Sequence, residues 1–120
     1  MARIRTLKPS LFSSLTVSAW PIPIRWTFVG LFTYADDQGR GVDEPRLVKA
    51  ELYPLDDKIT PAKVDEHLCV ITESGALCRY EVDTKRFLHL TGFSEHQRIN
   101  RPTKSRYPSC PIHEKDGEPS

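Results

Sequence analysis

The chain has 120 residues, with 17 Lys and Arg against 16 Asp and Glu, a formal net charge of +1 and three cysteines. That length fits one domain with one modest core, and so even a charge balance excludes a uniformly basic coat, so any nucleic-acid surface has to come from where the charges lie. Cysteines odd in number and without framework spacing, and the lack of an apolar stretch of membrane length, argue against a disulfide scaffold, a signal peptide or a membrane span and predict a reduced, cytoplasmic protein.

Residues 1–20 read as an N-terminal arm. Arg3, Arg5 and Lys8 stand there without acidic neighbours, suited to a phosphate backbone or a minor groove, while Ile4 and Leu7 offer the alternative of docking on the core. From Pro9 to Trp20, Leu11, Phe12, Leu15 and Trp20 recur at roughly helical spacing but are diluted by Ser and Thr, which predicts one or two loose turns. Leu11, Phe12 and Trp20 would make a dimer surface if the core does not need them.

After Pro21 and Pro23, the positions Ile24, Phe28, Leu31, Phe32 and Ala35 follow the helical repeat and form the most apolar face of the chain. Gly30 inside this helix costs about 1 kcal/mol relative to alanine, which predicts a close backbone approach by a neighbouring element. Trp26 and Tyr34 could stack bases, but aromatics at this spacing more often belong to a core or its flank. Asp36 to Gly41 is turn chemistry, with Val42 as the centre of a very short strand. Asp43 or Glu44 before Pro45 opens a second helix through Leu47, Val48, Leu52 and Tyr53, closed by Pro54. Arg46 and Lys49 share one face of it, one turn apart, within reach of phosphates or as a solvated face beside Glu44 and Glu51.

The best-signalled helix comes next. Thr60 caps it, Pro61 suits its first position, and Gly75 ends it with positive φ. Val64, Leu68 and Ile71 fall on its core side, with Lys63, Glu66, His67 and Glu73 off it. A strand at 76–82, a reversal at Asp83-Thr84-Lys85 and a returning strand at 86–90 then make a hairpin with a basic tip, Lys85 and Arg86. Cys69 and Cys78 read as small core-facing residues.

Residues 93–108 form a basic extension in which Arg98, Asn100, Arg101, Lys104 and Arg106 are interleaved with neutral donors, the strongest nucleic-acid signal in the chain; a solvated tail is the alternative. Residues 109–120 are Pro, Gly and charge, and predict disorder. Cys110 and His113 make a Cys-x-x-His pair with His89 and His96 upstream, but the second half of a paired ligand motif is missing and the segment is proline-broken and polar, so neither a metal nor a cofactor is expected.

The expected architecture is therefore α+β: a winged helix at 21–92, in the order helix, short strand, helix, helix, two-stranded wing, with the arm before it and the extension after it. The pieces ARIRTLKPSLF, RWTFVGLFTYADDQGR, KAELYPLDD, RYEVDTKRF and HQRINRPTKSRYP, in that order, cover nearly all of residues 2 to 108. As an ordered set they resemble the N-terminal winged-helix domain of phage replication proteins, the replisome-organiser or helix-turn-helix proteins of actinobacterial phages. The resemblance implies a winged helix that binds double-stranded DNA, often near a replication origin, with the replicative helicase or its loader as a further partner, in the cytoplasm of a bacterial host.

The groove-reading helix of that fold carries Asp65, Glu66 and Glu73 against Lys63 here, and carboxylates repel phosphates. The wing tip and the two basic ends are the more plausible footprint. A transcriptional regulator of the same fold, or a protein-interaction module targeting a replication or host protein, are the alternatives. No glycine loop, paired acidic metal motif or nucleophile with a base points to an enzyme, and Asp36-Asp37 and Asp56-Asp57 read as turn and cap chemistry.

Overall fold

In the computed structural model, which describes residues 3–97, 99 and 101–112, helices pack on one face of a three-stranded antiparallel sheet with strand order β1-β3-β2. A 3₁₀ turn at Pro9–Leu11 and a short helix α1 (Leu15–Ser18) lead into α2 (Ile22–Tyr34), β1 (Arg40–Val42), α3 (Pro45–Leu52), α4 (Pro61–Glu73), β2 (Leu77–Val82), β3 (Lys85–Leu90) and α5 (Phe93–His96). The result is a compact α+β domain. No helix among the described residues is long and apolar enough to cross a membrane.

The helix ends follow from local chemistry. Thr60 Oγ1 accepts from the Lys63 N–H, the Glu44 carboxylate accepts from the Arg46 N–H, and Pro61 and Pro45 occupy first-turn positions where no N–H is needed. Gly75 takes φ +89° just past α4, the left-handed stop its sequence position predicts. Gly30 is where α2 and α3 meet closely: a Cβ there would lie 2.8 Å from Leu52 Cδ1. Leu31, Val48, Val64, Leu68 and Ile71 from three helices meet Leu77, Leu88 and Leu90 from the sheet in one core.

Several expectations change. His67 is buried rather than on the wet side of α4, because its Nδ1 lies 2.8 Å from Thr27 Oγ1, which is also 2.6 Å from the Tyr53 hydroxyl. Trp20 is in the core, edge-on to Phe28, so it is not part of a free dimer surface, whereas Phe12 is exposed. Cys69 is exposed, not core-facing. Val42 ends β1 instead of centring it, and the hairpin reverses over two residues: Asp83 and Thr84 both have positive φ, so Val82 pairs directly with Lys85.

Because side chains alternate along a strand, Leu77, Leu88 and Leu90 face the helices while Cys78, Tyr80, Phe87 and His89 face the other way. Phe87 to Leu90 are nonetheless four consecutive buried residues. Both faces of β3 are therefore covered, and what covers the outer one is the segment after α5.

Candidate functional site

The outer face of the sheet is built in rungs. Arg40 opposes His89 across β1 and β3, and His89 opposes Cys78 across β3 and β2; one rung along, Val42, Phe87 and Tyr80 align in the same way. Residues 101–112 cross this face as a strap. Thr103 donates through both its N–H and its hydroxyl to Asp37, the Ser105 hydroxyl donates to Asp36, and the Tyr107 ring packs on Phe87 with centroids 5.8 Å apart. Arg40, fully buried, donates to the Tyr107 carbonyl and to Ser109 Oγ, and the Tyr80 hydroxyl donates to the Pro108 carbonyl. Cys110 then buries completely, its Sγ 3.2 Å from that of Cys78. The disorder expected from residue 109 therefore does not hold for Ser109 and Cys110, which the sheet itself fixes; residues 113–120 lie outside the described residues.

The strap sorts its own side chains. Thr103, exposed, and Ser105 and Tyr107, half-buried, engage the acidic turn and the sheet, while Lys104, Arg106 and, at the start, Arg101 are exposed. Hydrogen bonds from Thr103, with help from Arg5, hold the Asp37 carboxyl below its usual range, so the acids under the strap are occupied by it. Lys85 lies on this outer face of the hairpin and Arg86 on the opposite one, near Glu44. Lys85, Arg86, Arg101, Lys104 and Arg106 are exposed and make no ion pair among the described residues. Arg98 and Asn100 lie outside the described residues.

The basic residues of the N-terminal arm are tied to the body of the domain. Arg3 Nη1 donates to the carbonyls of Tyr34 and Ala35 at 2.8 and 2.6 Å, and Arg5 donates to those of Phe32 and Ala35 at 2.7 and 3.0 Å while pairing with Asp37 at 3.1 Å. These are the orphan carbonyls at the C-terminus of α2, where a cation is favoured by both hydrogen bonding and the helix dipole. Arg5 also lies 5.2 Å from the centre of the Phe93 ring and is nearly buried, so it is not presented to a ligand. Lys8 reaches the Glu95 carbonyl at 3.2 Å.

On α3, Arg46 pairs with Glu44 at 2.9 Å, and its hydrogen bonds take the Glu44 carboxyl down to about 2; Lys49 is half-buried in the last turn. Trp26 is exposed, and Tyr34 is tied by its hydroxyl to the Val42 carbonyl at 2.6 Å, so the two do not form a stacking platform.

Two residues that carry the site are not distinguished in the sequence. Arg40 sits in a run that reads as turn, and Cys110 in a run that reads as tail; only the alternation of β1 and the Cys-x-x-His pair hint at them. A cleft of about 340 Å³ opens between the arm, α2 and α5, floored by Phe28, Phe32, Leu90 and Phe93. No protein-family model, no curated protein and no solved structure matches the chain.

Proposed function

We propose that the chain is a winged-helix DNA-binding module, without catalytic activity, that contacts the phosphate backbone through the wing and the strap and acts in the initiation or control of phage DNA replication. The order α2-β1-α3-α4-β2-β3, with sheet order β1-β3-β2, supports the winged-helix reading. The observation that carries the DNA reading is the pinned strap: Thr103 and Ser105 engage the acidic turn, and Arg101, Lys104 and Arg106 are exposed on a segment that is tied down rather than on a loose tail. Preordered cations lose less entropy on binding than mobile ones. The replication role rests on the family resemblance; a footprint over a promoter rather than origin repeats would favour the transcriptional reading instead.

The test is a mobility-shift titration on duplex DNA at two salt concentrations. Each phosphate contact contributes about 0.9 to the slope of log affinity against log salt. Replacing Arg101, Lys104 and Arg106 together with alanine is expected to lower affinity about tenfold or more at moderate salt and flatten the slope by about 2 to 3. A complex of unchanged salt dependence moves the footprint elsewhere. No complex at all favours the protein-interaction reading, which the exposed Glu66 and Glu73 on α4 already support.

A further inference from the structure

The cleft of about 340 Å³ between the arm, α2 and α5 is lined by no residue of the wing tip or strap, so it is separate from the DNA-binding surface proposed above. Its floor is apolar. Phe28 and Phe32 stand one turn apart on α2, edge to face with ring centroids 5.1 Å apart, and both remain half-buried, while Leu90 and Phe93 reach the cleft from the end of β3 and the start of α5. Leu11 and Val17, also half-buried, line it from the N-terminal segment. Phenyl rings left half open to water are a standing hydrophobic cost that an apolar ligand removes. The α4–β2 turn borders the cleft without filling it: a Cβ built on Gly75 would meet nothing within 4 Å.

The walls are fixed before any ligand arrives. Hydrogen bonds between Thr6 and Gln97, at 2.9 and 2.8 Å, join the arm to the end of α5, and both residues line the cleft. Arg5 anchors the same arm on α2 through the Phe32 carbonyl at 2.7 Å. A surface ordered in advance loses little conformational entropy on binding. The charged group at the cleft is a cation: Lys8 lines it together with His96, and among the described residues no Asp or Glu does. Lys8 donates to the Glu95 carbonyl at 3.2 Å and makes no ion pair among the described residues, so its ammonium keeps donors for an anion. The Ser14 hydroxyl, also in the lining, accepts from the Val17 N–H and has its own proton left to donate.

We propose that this cleft binds a small amphipathic carboxylic acid as its anion, with an aryl or short alkyl body on Phe28, Phe32, Leu90 and Phe93 and the carboxylate at Lys8. Size sets the body. Pockets that hold small molecules run from about 300 to about 1,000 Å³, and this one lies at the lower end, enough for one ring with a short chain. Charge sets the head. One ammonium and neutral hydroxyls match a single negative charge, whereas phosphate recognition favours bidentate arginine, and among the described residues no Arg lines the cleft.

The experiment titrates the full chain with phenylbutyrate and octanoate, and with phenylbutanol as the uncharged analogue, following backbone amide NMR shifts. Phenylbutyrate is expected to bind about fivefold more tightly than phenylbutanol, the upper value for an exposed ion pair, and to shift the cleft amides of Thr16, Ala76 and Gln97. Lys8→Met should remove that preference and leave phenylbutanol binding unchanged, and Lys85→Met, on the wing, should change neither. Phe32→Ser should weaken both compounds about tenfold or more. Should that variant not fold, intermolecular NOEs from the phenyl protons of phenylbutyrate to Phe28 and Leu90 in the wild-type chain locate the ligand without it. Equal affinity for acid and alcohol, saturation by neither acid at millimolar concentration, or NOEs to residues outside the cleft would each overturn the proposal. A free-chain dimer that buries the cleft, seen in sedimentation and dispersed by Phe12→Ser, would overturn it by giving the cleft to a second copy, since Phe12 is 76% exposed and follows the cleft residue Leu11.

Discussion

Arg79 gives a sharp test of how the domain is held together. From β2 its guanidinium forks onto Asp43 at 2.8 and 2.9 Å and reaches Asp65 on α4 at 2.6 Å, tying the β1–α3 junction, the sheet and α4 at one point. The hydrogen bonds to Asp43 outweigh burial and hold the guanidinium protonated more firmly than usual. The two acids are not equivalent: the Asp43 side chain is 4% exposed and that of Asp65 is 47%. Arg79→Met therefore leaves a buried carboxylate unpaired, which costs about 3 kcal/mol, the low end for a broken buried pair because Arg79 itself keeps some contact with water. Asp65→Ala breaks a half-solvated pair and should cost about 0.5 kcal/mol. For a domain of this size the first change lowers the melting temperature by roughly 12 °C or more, the second by a few degrees. Restoring neutrality with Asp43→Asn in the Arg79→Met background should recover part of the loss. Urea unfolding followed by the fluorescence of buried Trp20 measures all three. If Arg79→Met costs under about 1 kcal/mol, or no more than Asp65→Ala, the inequality derived from burial is wrong.

Two further outcomes follow from the same geometry. Arg5→Ala exposes the α2 carbonyls and strands Asp37, so it should destabilise the domain by about 2 kcal/mol in urea unfolding while leaving the salt slope of any DNA complex unchanged; a reduced slope would return the arm to the interface. Burial lowers the His67 pKa below its usual value, so the neutral ring is the folded form, its stabilising share is complete above about pH 6.5, and it is lost as pH falls through the lowered value. Wild type should thus lose more stability than His67→Gln between about pH 7.5 and about pH 5, and equal losses would remove His67 from that role.

What the sequence discloses here is what neighbours in the chain decide. Thr60-Pro61, Glu44-Pro45 and Gly75 mark helix ends because caps and left-handed stops act within a few residues, and the hairpin strands show in their alternation. The misplacements involve partners far apart. His67 looks like a surface residue until Thr27, 40 residues earlier, supplies its hydrogen bond. Arg3 and Arg5 look like unpartnered charges until the end of α2, about 30 residues on, supplies carbonyls for them. Arg40 and Cys110 acquire meaning only once β1 joins the sheet and the strap crosses it, a pairing that no local period encodes. The basic residues of the wing and strap are readable as charges, whereas the fixing of the strap that carries Lys104 depends on contacts to Asp36 and Asp37.

The Thr6 N–H donates to the Gln97 side-chain oxygen, and the Gln97 amide donates back to the Thr6 carbonyl, at 2.9 and 2.8 Å. This reciprocal clasp joins segments 91 residues apart at the point where the chain leaves α5 for the strap. The two extremities are thus one cooperative unit: loosening either lets the other fray, and amide hydrogen exchange there should proceed with a shared opening energy. A bulky fusion at the amino terminus would then be felt on the far face of the sheet.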